Sequence, residues 1–374
     1  MIKRKSESDI LQGLEKGKVV ILYGARQVGK TTLVKEVAKK LPNSLYASTD
    51  DPFILENLYY RPLVELKAFL GETQTLIIDE AQRIENIGLL LKLLHDELPD
   101  LKIIATGSSS FDLANKINEP LTGRKNELFL PALSIQEVSE NNFQLAANIP
   151  IMLLRGGYPE VWTLSEDEAR ARLREIASSY VYKDVFAPNT IYDQTLLYNL
   201  MRYLAYQIGN EVSYHELSQM LEVSAETIKR YIDLLEKAFI IFRQNQYRKN
   251  QRVAVGRKRK IYFNDLGIRN ALIDNFAPLD FRDDRGAMWE NFCVVERKKL
   301  LSAQKRIAQH YYWRNNRQQE IDLIEEENGQ TRAFEMKFRD NRTVKIPREF
   351  SEMYPDNQSF DVLTTDNFLT KGLQ

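Results

Sequence analysis

The chain has 374 residues, room for two or three domains with cores of their own. Its 52 Lys and Arg balance 52 Asp and Glu, so no global field draws it to nucleic acid or to a membrane surface, and any basic surface must be local. One cysteine, Cys293, excludes disulfides and cysteine-built zinc centres, and three histidines are too few for a histidine-rich metal site.

Met1 to Ser6 lacks the apolar stretch of a signal peptide, and no apolar run approaches the length of a membrane span, so the expected setting is cytoplasmic. Ser8 to Lys16 reads as a short helix. It leads into Val19-Val20-Ile21-Leu22-Tyr23, an apolar run fit for a buried parallel strand. Gly24-Ala25-Arg26-Gln27-Val28-Gly29-Lys30-Thr31-Thr32 follows with the spacing G-x-x-x-x-G-K-T, and from Leu33 to Lys40 the apolar residues fall at helical spacing. A strand entering a glycine loop that opens a helix gathers backbone N–H groups and a helix N-terminus around a polyphosphate. The expected ligands are ATP and Mg²⁺, with Lys30 on the β and γ phosphates and the Thr31 hydroxyl on the metal. Arg26 adds positive charge within the loop.

Ser44 to Ser48 reads as a second strand. Thr75-Leu76-Ile77-Ile78-Asp79-Glu80, about fifty residues after the loop, is an apolar strand ending in two carboxylates. This is the Walker B pattern: Asp79 is expected to hold Mg²⁺ through its water shell, and Glu80 to orient and deprotonate the attacking water. Ile87 to Leu98 has the stripe of an amphipathic helix. Leu101 to Ser109 is a strand ending in small hydroxyl residues, placed beside the Walker B strand and offering Ser108, or else Thr106, near the γ-phosphate. Strands alternating with helices predict a parallel sheet with its ligand at the carboxyl ends.

These segments, with Leu121-Thr122-Gly123-Arg124, Leu130-Pro131-Ala132-Leu133-Ser134 and Gly156-Gly157-Tyr158-Pro159-Glu160, resemble the AAA_14 family of bacterial and archaeal AAA-type ATPases, which commonly carry a C-terminal DUF4143 region. The resemblance spans nearly the whole chain and implies a P-loop ATPase. It also implies an arginine contacting the γ-phosphate, often across a subunit boundary. Arg124 is the candidate, and a salt bridge to Glu127 is the plainer role for it.

Ser134 to Ala187 reads as helical and irregular, a lid or linker, with Glu166-Asp167-Glu168 opening a helix whose Ala169, Leu173 and Ile176 form a stripe. Ser213 to Leu221 and Ala225 to Ala238 are two helices, the second capped by Ser224. Phe239 to Phe242 and Lys260 to Phe263 are two strands, and helix–turn–helix–hairpin predicts a winged helix. Its wing, Arg248 to Lys260, is dense in Lys and Arg and lies beside Lys229 and Arg230, which suits phosphate contacts with duplex DNA. Winged helices also bind proteins, so a protein partner or a second copy of the chain is the alternative.

The final stretch resembles the PD-(D/E)XK restriction-endonuclease-like fold: Glu290 on a helix, Asp322 on a strand, and Glu335 with Lys337 two apart on one face of the next strand. The resemblance implies Mg²⁺ on Asp322 and Glu335, with Lys337 activating a water. The proline that usually precedes the metal-binding aspartate is absent. The expected organisation is a multidomain α/β chain: a P-loop AAA-type domain over 1–133, a helical lid over 134–195, a winged helix over 196–264 and a nuclease-like domain over 265–374. Either the C-terminal modules engage nucleic acid under ATP control, or they form a switch that binds protein and cleaves nothing.

Overall fold

The structure, a computed structural model, describes residues 2–59, 61–107, 117, 121–179, 193–248, 259–339, 344–355 and 357–374. Contacts divide the chain into two compact units, 1–132 with 237–239, and 133–236 with 240–374. Among the described residues no helix is long and apolar enough to cross a membrane.

The first unit contains α1 (Ser6–Glu15), β1 (Val19–Tyr23), α2 (Lys30–Ala38), β2 (Ser44–Ser48), α3 (Pro52–Asn57), α4 (Leu63–Leu70), β3 (Thr75–Asp79), α5 (Ile87–Glu97), β4 (Lys102–Gly107) and β5 (Lys125–Phe129). All five strands are parallel, in the order β2-β3-β4-β1-β5. The expected strand after α5 therefore does lie beside the Walker B strand, and it separates that strand from β1. Both β1 and β3 are buried along their whole length, as strands covered on two faces must be. Leu76, Ile77 and Ile78 are fully buried, and each such side chain contributes roughly 1.5–3 kcal/mol.

The second unit begins with α6 (Asn142–Arg155) and α7 (Glu166–Ser179), then α8 (Gln194–Tyr206), β6 (Glu211–Val212), α9 (Tyr214–Met220), α10 (Ala225–Lys237), β7 (Ile241–Gln246) and β8 (Arg259–Phe263). Next come α11 (Leu266–Leu272), α12 (Arg285–Ala303), β9 (Gln309–Arg314), β10 (Glu320–Glu327), β11 (Gln330–Met336), α13 (Arg348–Met353) and β12 (Asn357–Leu363). Ser213 caps α9, accepting from the Glu216 N–H, and Ser224 accepts from the Thr227 N–H ahead of α10.

The strands of this unit form one seven-stranded sheet, β12-β11-β10-β9-β7-β8-β6. The hairpin β7–β8 joins the later strands through parallel pairing of Asn245 with Tyr311 and Gln246 with Tyr312. The sequence patterning suggests a boundary near 264; the sheet runs straight through it. The Gly156-Gly157 motif has a packing role. Asp265 caps α11, accepts from the Gly157 N–H at 2.7 Å, and stands where a Cβ on Gly156 would come within 2.1 Å of its Oδ1, so no larger side chain fits.

Candidate functional site

The P-loop sits between β1 and α2, with Lys30 opening the helix. Gly24 is required by space: a Cβ there would lie 2.4 Å from the Leu130 carbonyl oxygen. Arg4 braces the loop, its Nη1 donating to the Val28 carbonyl at 2.7 Å and its Nη2 to the Pro131 carbonyl at 2.6 Å. Buried Lys30 donates Nζ to the carbonyls of Gly24 and Ala25, both at 2.8 Å, so its ammonium lies inside the loop that phosphates would fill. Arg26 is half-buried in the same loop.

Asp79 ends β3 and is only 4% exposed. Thr31 Oγ1 donates to its Oδ2 at 2.8 Å, Tyr46 donates to the same oxygen at 2.6 Å, and Thr106 Oγ1 donates to Oδ1. Burial first, and then the bond to Asp79, push the Tyr46 phenol well above its ordinary range. Among the described residues the partners of the Asp79 carboxylate are neutral hydroxyls, and it has no ion pair. A buried carboxylate left without a cation is costly, so this donor set of carboxylate and hydroxyl, all oxygen, fits Mg²⁺.

Glu80 follows at φ 56°, a left-handed conformation that a glutamate rarely takes. Its N–H donates to Thr106 Oγ1 at 3.2 Å, its carbonyl accepts from Thr49 Oγ1 at 2.8 Å, and its carboxylate accepts from Gln82. Tyr46, Thr49 and Gln82 are site residues that sequence reasoning did not select; only their nearness in sequence to the β2 and β3 ends could have flagged them. Ser108 lies outside the described residues, and Thr106, the second choice, is the one that reaches Asp79.

Arg124 lies away from the P-loop within the chain. Its carbonyl accepts from the N–H of Val19, which begins β1, so it stands at the opposite end of the strand from the P-loop. Four residues of strand, roughly 13 Å, separate the two ends. Its Nε donates to Asp96 at 2.7 Å rather than to Glu127. Within its own subunit Arg124 does not reach the phosphate site.

The second carboxylate site lies in the seven-stranded sheet. Asp322 and Glu335 are on adjacent strands, the Met336 N–H donates to Asp322 Oδ2 at 2.7 Å, and Lys337 pairs with Glu335 at 2.8 Å. Glu290 arrives from α12. Burial first, and then the charge of Asp322, push Glu335 up to about 7, and a set of three acids, Glu290, Glu320 and Asp322, brings its oxygens within 4.8 Å of one another. Glu320 was not selected from the sequence, although it lies two residues from Asp322 and so shares its strand face.

Within this set of acids sits Lys260 of β8, 1% exposed. Its Nζ lies 2.7 Å from Glu290 Oε1 and 3.7 Å from Asp322 Oδ1, and it also pairs with Glu320. Tyr262, also from β8, donates to Glu290 Oε1 at 2.6 Å. Burial works against the Lys260 ammonium, but the negative charge of Glu290, and after it that of Asp322 and Glu320, holds it well above its ordinary range. Burial pushes Glu290 up to about 7 despite that ammonium. Expected as a phosphate contact on the wing, Lys260 is instead a buried counter-ion, while residues 249–258 of the wing lie outside the described residues. The acids already have a cation, so the donor set as folded does not fit a resident metal, and no cleavage step is derived from it.

Parallel sheet, glycine loop, Lys30 and the Thr31–Asp79 pair give the first unit the arrangement of a P-loop nucleotide-binding domain. The sequence comparisons give the same class: the chain carries an AAA domain, AAA_14, over residues 16–139, a domain of unknown function, DUF8612, over 147–279, and a second one, DUF4143, over 285–371. Among its relatives are uncharacterised proteins of Mycobacterium bovis and Mycobacterium tuberculosis, each 28% identical over 390 residues, 99% of this chain and 85% of theirs. A Walker-type ATPase of Pyrococcus abyssi superposes with a TM-score of 0.49 at 17% identity, covering 73% of this chain and 96% of that one.

Proposed function

We propose that the first unit binds ATP with Mg²⁺ and hydrolyses it, and that nucleotide state governs how the second unit engages nucleic acid. The observation that carries the first half is Asp79, a buried carboxylate served, among the described residues, by hydroxyls alone. Thr31 and Asp79 would hold the metal, which neutralises charge between the β and γ phosphates when bound. Lys30 trades its bonds to two loop carbonyls for phosphate oxygens. Glu80, held by Thr49, Thr106 and Gln82 in a conformation it would not choose alone, orients and deprotonates the water. Gly24 to Thr32 supply the loop around the phosphates.

The nucleic-acid half rests on the winged-helix order α8-β6-α9-α10-β7-β8, with Lys229 and Arg230 exposed on α10. For the C-terminal strands the Lys260 counter-ion favours a nuclease-like fold that binds and does not cleave, with Glu290, Asp322, Glu335 and Lys337 in structural roles. The test is nucleotide binding and phosphate release by three proteins. Lys30→Ala should lose ATP binding. Glu80→Gln should bind as wild type does and turn over ~10²-fold more slowly, as loss of a general base does. Equal turnover by Glu80→Gln and wild type refutes the role given to Glu80.

A further inference from the structure

We infer that the second unit holds a single nucleic-acid strand, by its phosphodiester backbone, in a cleft formed by α9, α10, the ends of β7 and β8, and the β9–β10 turn. The inference rests on the nucleic-acid reading above and gives it a location. The cleft measures about 870 Å³. Lys229, Arg248, Arg259 and Arg314 line it, against one carboxylate, Glu211.

That carboxylate is already engaged. It accepts from the Tyr312 hydroxyl at 3.0 Å and lies 3.7 Å from Arg314 Nη1. The other three cations have no carboxylate partner among the described residues. Arg248 gives Nε and Nη2 to the neutral amide oxygen of Gln246, at 3.0 and 2.7 Å. Among the described residues Arg259 reaches the Tyr214 hydroxyl alone, at 3.4 Å, and its buried Nε has no partner there. Lys229 is exposed and makes no ion pair. A buried donor left unmade costs about 1–3 kcal/mol, and an anionic oxygen would offset that.

The arrangement separates a strand from other phosphate ligands. Four cations against one engaged carboxylate give the cleft more positive charge than a lone phosphate would need, and a run of phosphates would match it. The site is concave and of small-ligand size, whereas a duplex is read by a convex element entering a groove about 12 Å wide. Tyr214 offers a ring for a base, the usual companion of a basic groove in single-strand binding. Arg314 also lies 3.5 Å from Glu320, which pairs with Lys260, so the cleft and the buried acids share a charge network.

Fluorescence anisotropy of the full chain tests this with a labelled oligothymidylate, a duplex of equal length, and tripolyphosphate as competitor. Wild type should bind the strand with an affinity that falls as salt rises. Lys229→Ala and Arg248→Gln should each weaken it on the order of tenfold and flatten the logarithmic salt slope by about 0.7. Lys229→Arg should restore both. Lys229 is exposed and Arg248 bonds only a neutral amide, so the melting temperature should not move.

Strand binding unchanged in both variants overturns the cleft and leaves the nucleic-acid reading standing. Wild type preferring the duplex overturns the strand. Tripolyphosphate displacing the strand at equal phosphate concentration does so too, in favour of a free polyphosphate. Wild type binding neither nucleic acid removes the cleft and the reading together.

Discussion

Replacing Lys260 by Met tests whether a side chain, rather than a metal, compensates the buried acids. The methionine keeps most of the volume and removes the charge. Glu290, Glu320 and Asp322 then face one another without the ammonium that lay 2.7 Å from Glu290 and 3.7 Å from Asp322. Removing one partner from a buried ion pair costs about 3–5 kcal/mol. In a unit of this size each kcal/mol moves the melting temperature by about 2–4 °C, so calorimetry should show the second unit melting roughly 6–20 °C lower. Glu290→Gln in the same chain should return part of the loss, because one of the repelling charges goes. Mg²⁺ should stabilise Lys260→Met by mass action, by about 2.7 kcal/mol at a hundred times its dissociation constant, and should leave the second unit of wild type unmoved. A Lys260→Met protein that melts with wild type, or a wild-type second unit that Mg²⁺ stabilises as strongly as it does the variant, refutes the counter-ion argument.

Three further outcomes are expected. Asp284 accepts from Arg282 at 2.8 and 2.7 Å and pairs with Arg269; burial opposes its charge, yet those bonds lower it to about 2. Its folded value lies below its unfolded one, so its contribution is complete above pH ~4 and disappears as the pH falls toward 2, a loss of about 2 kcal/mol. The gap in urea midpoint between wild type and Asp284→Asn should therefore close over that window, and a gap independent of pH would sink the assignment. Arg124→Ala should bind ATP within about twofold of wild type, since the side chain is a strand length away from the loop; a loss beyond tenfold in a titration would place it in the site after all. Gly24→Ala drives a methyl into the Leu130 carbonyl, so nucleotide affinity should drop and stability fall by about 1–3 kcal/mol; unchanged affinity would mean the loop has room that the 2.4 Å approach denies.

The nucleotide site was legible because its chemistry is written in short spacings. Gly24 to Thr31 and Ile78-Asp79-Glu80 each carry their residues within one turn or strand end, and the alternating pattern places the two at the same edge of a sheet. Long-range pairing is what the sequence hides. Lys260 reads locally as the last of a basic run, and only the register of β8 between β7 and β6 turns it toward Glu290 of α12 and the acids of β10. Period-two spacing would have put Lys260 with Tyr262, and Glu320 with Asp322, on shared faces; it says nothing of those faces meeting. The place of Arg124 was hidden for the same reason: a residue's distance from the loop depends on which end of β5 it starts, and spacing alone does not orient that strand against β1.

The parallel seam between β7 and β9 also limits how this chain can be cut or shuffled. A fragment ending at 264 would keep the hairpin but strip the partner from Asn245 and Gln246, and would free the Tyr247 N–H that now donates to the Tyr312 carbonyl at 2.6 Å. The bared rim is an open ladder of amides and carbonyls, the template on which strands from other molecules add. Gene fusions or truncations that respect the sheet would move residues 133–374 as one block, and those that divide it should yield insoluble pieces.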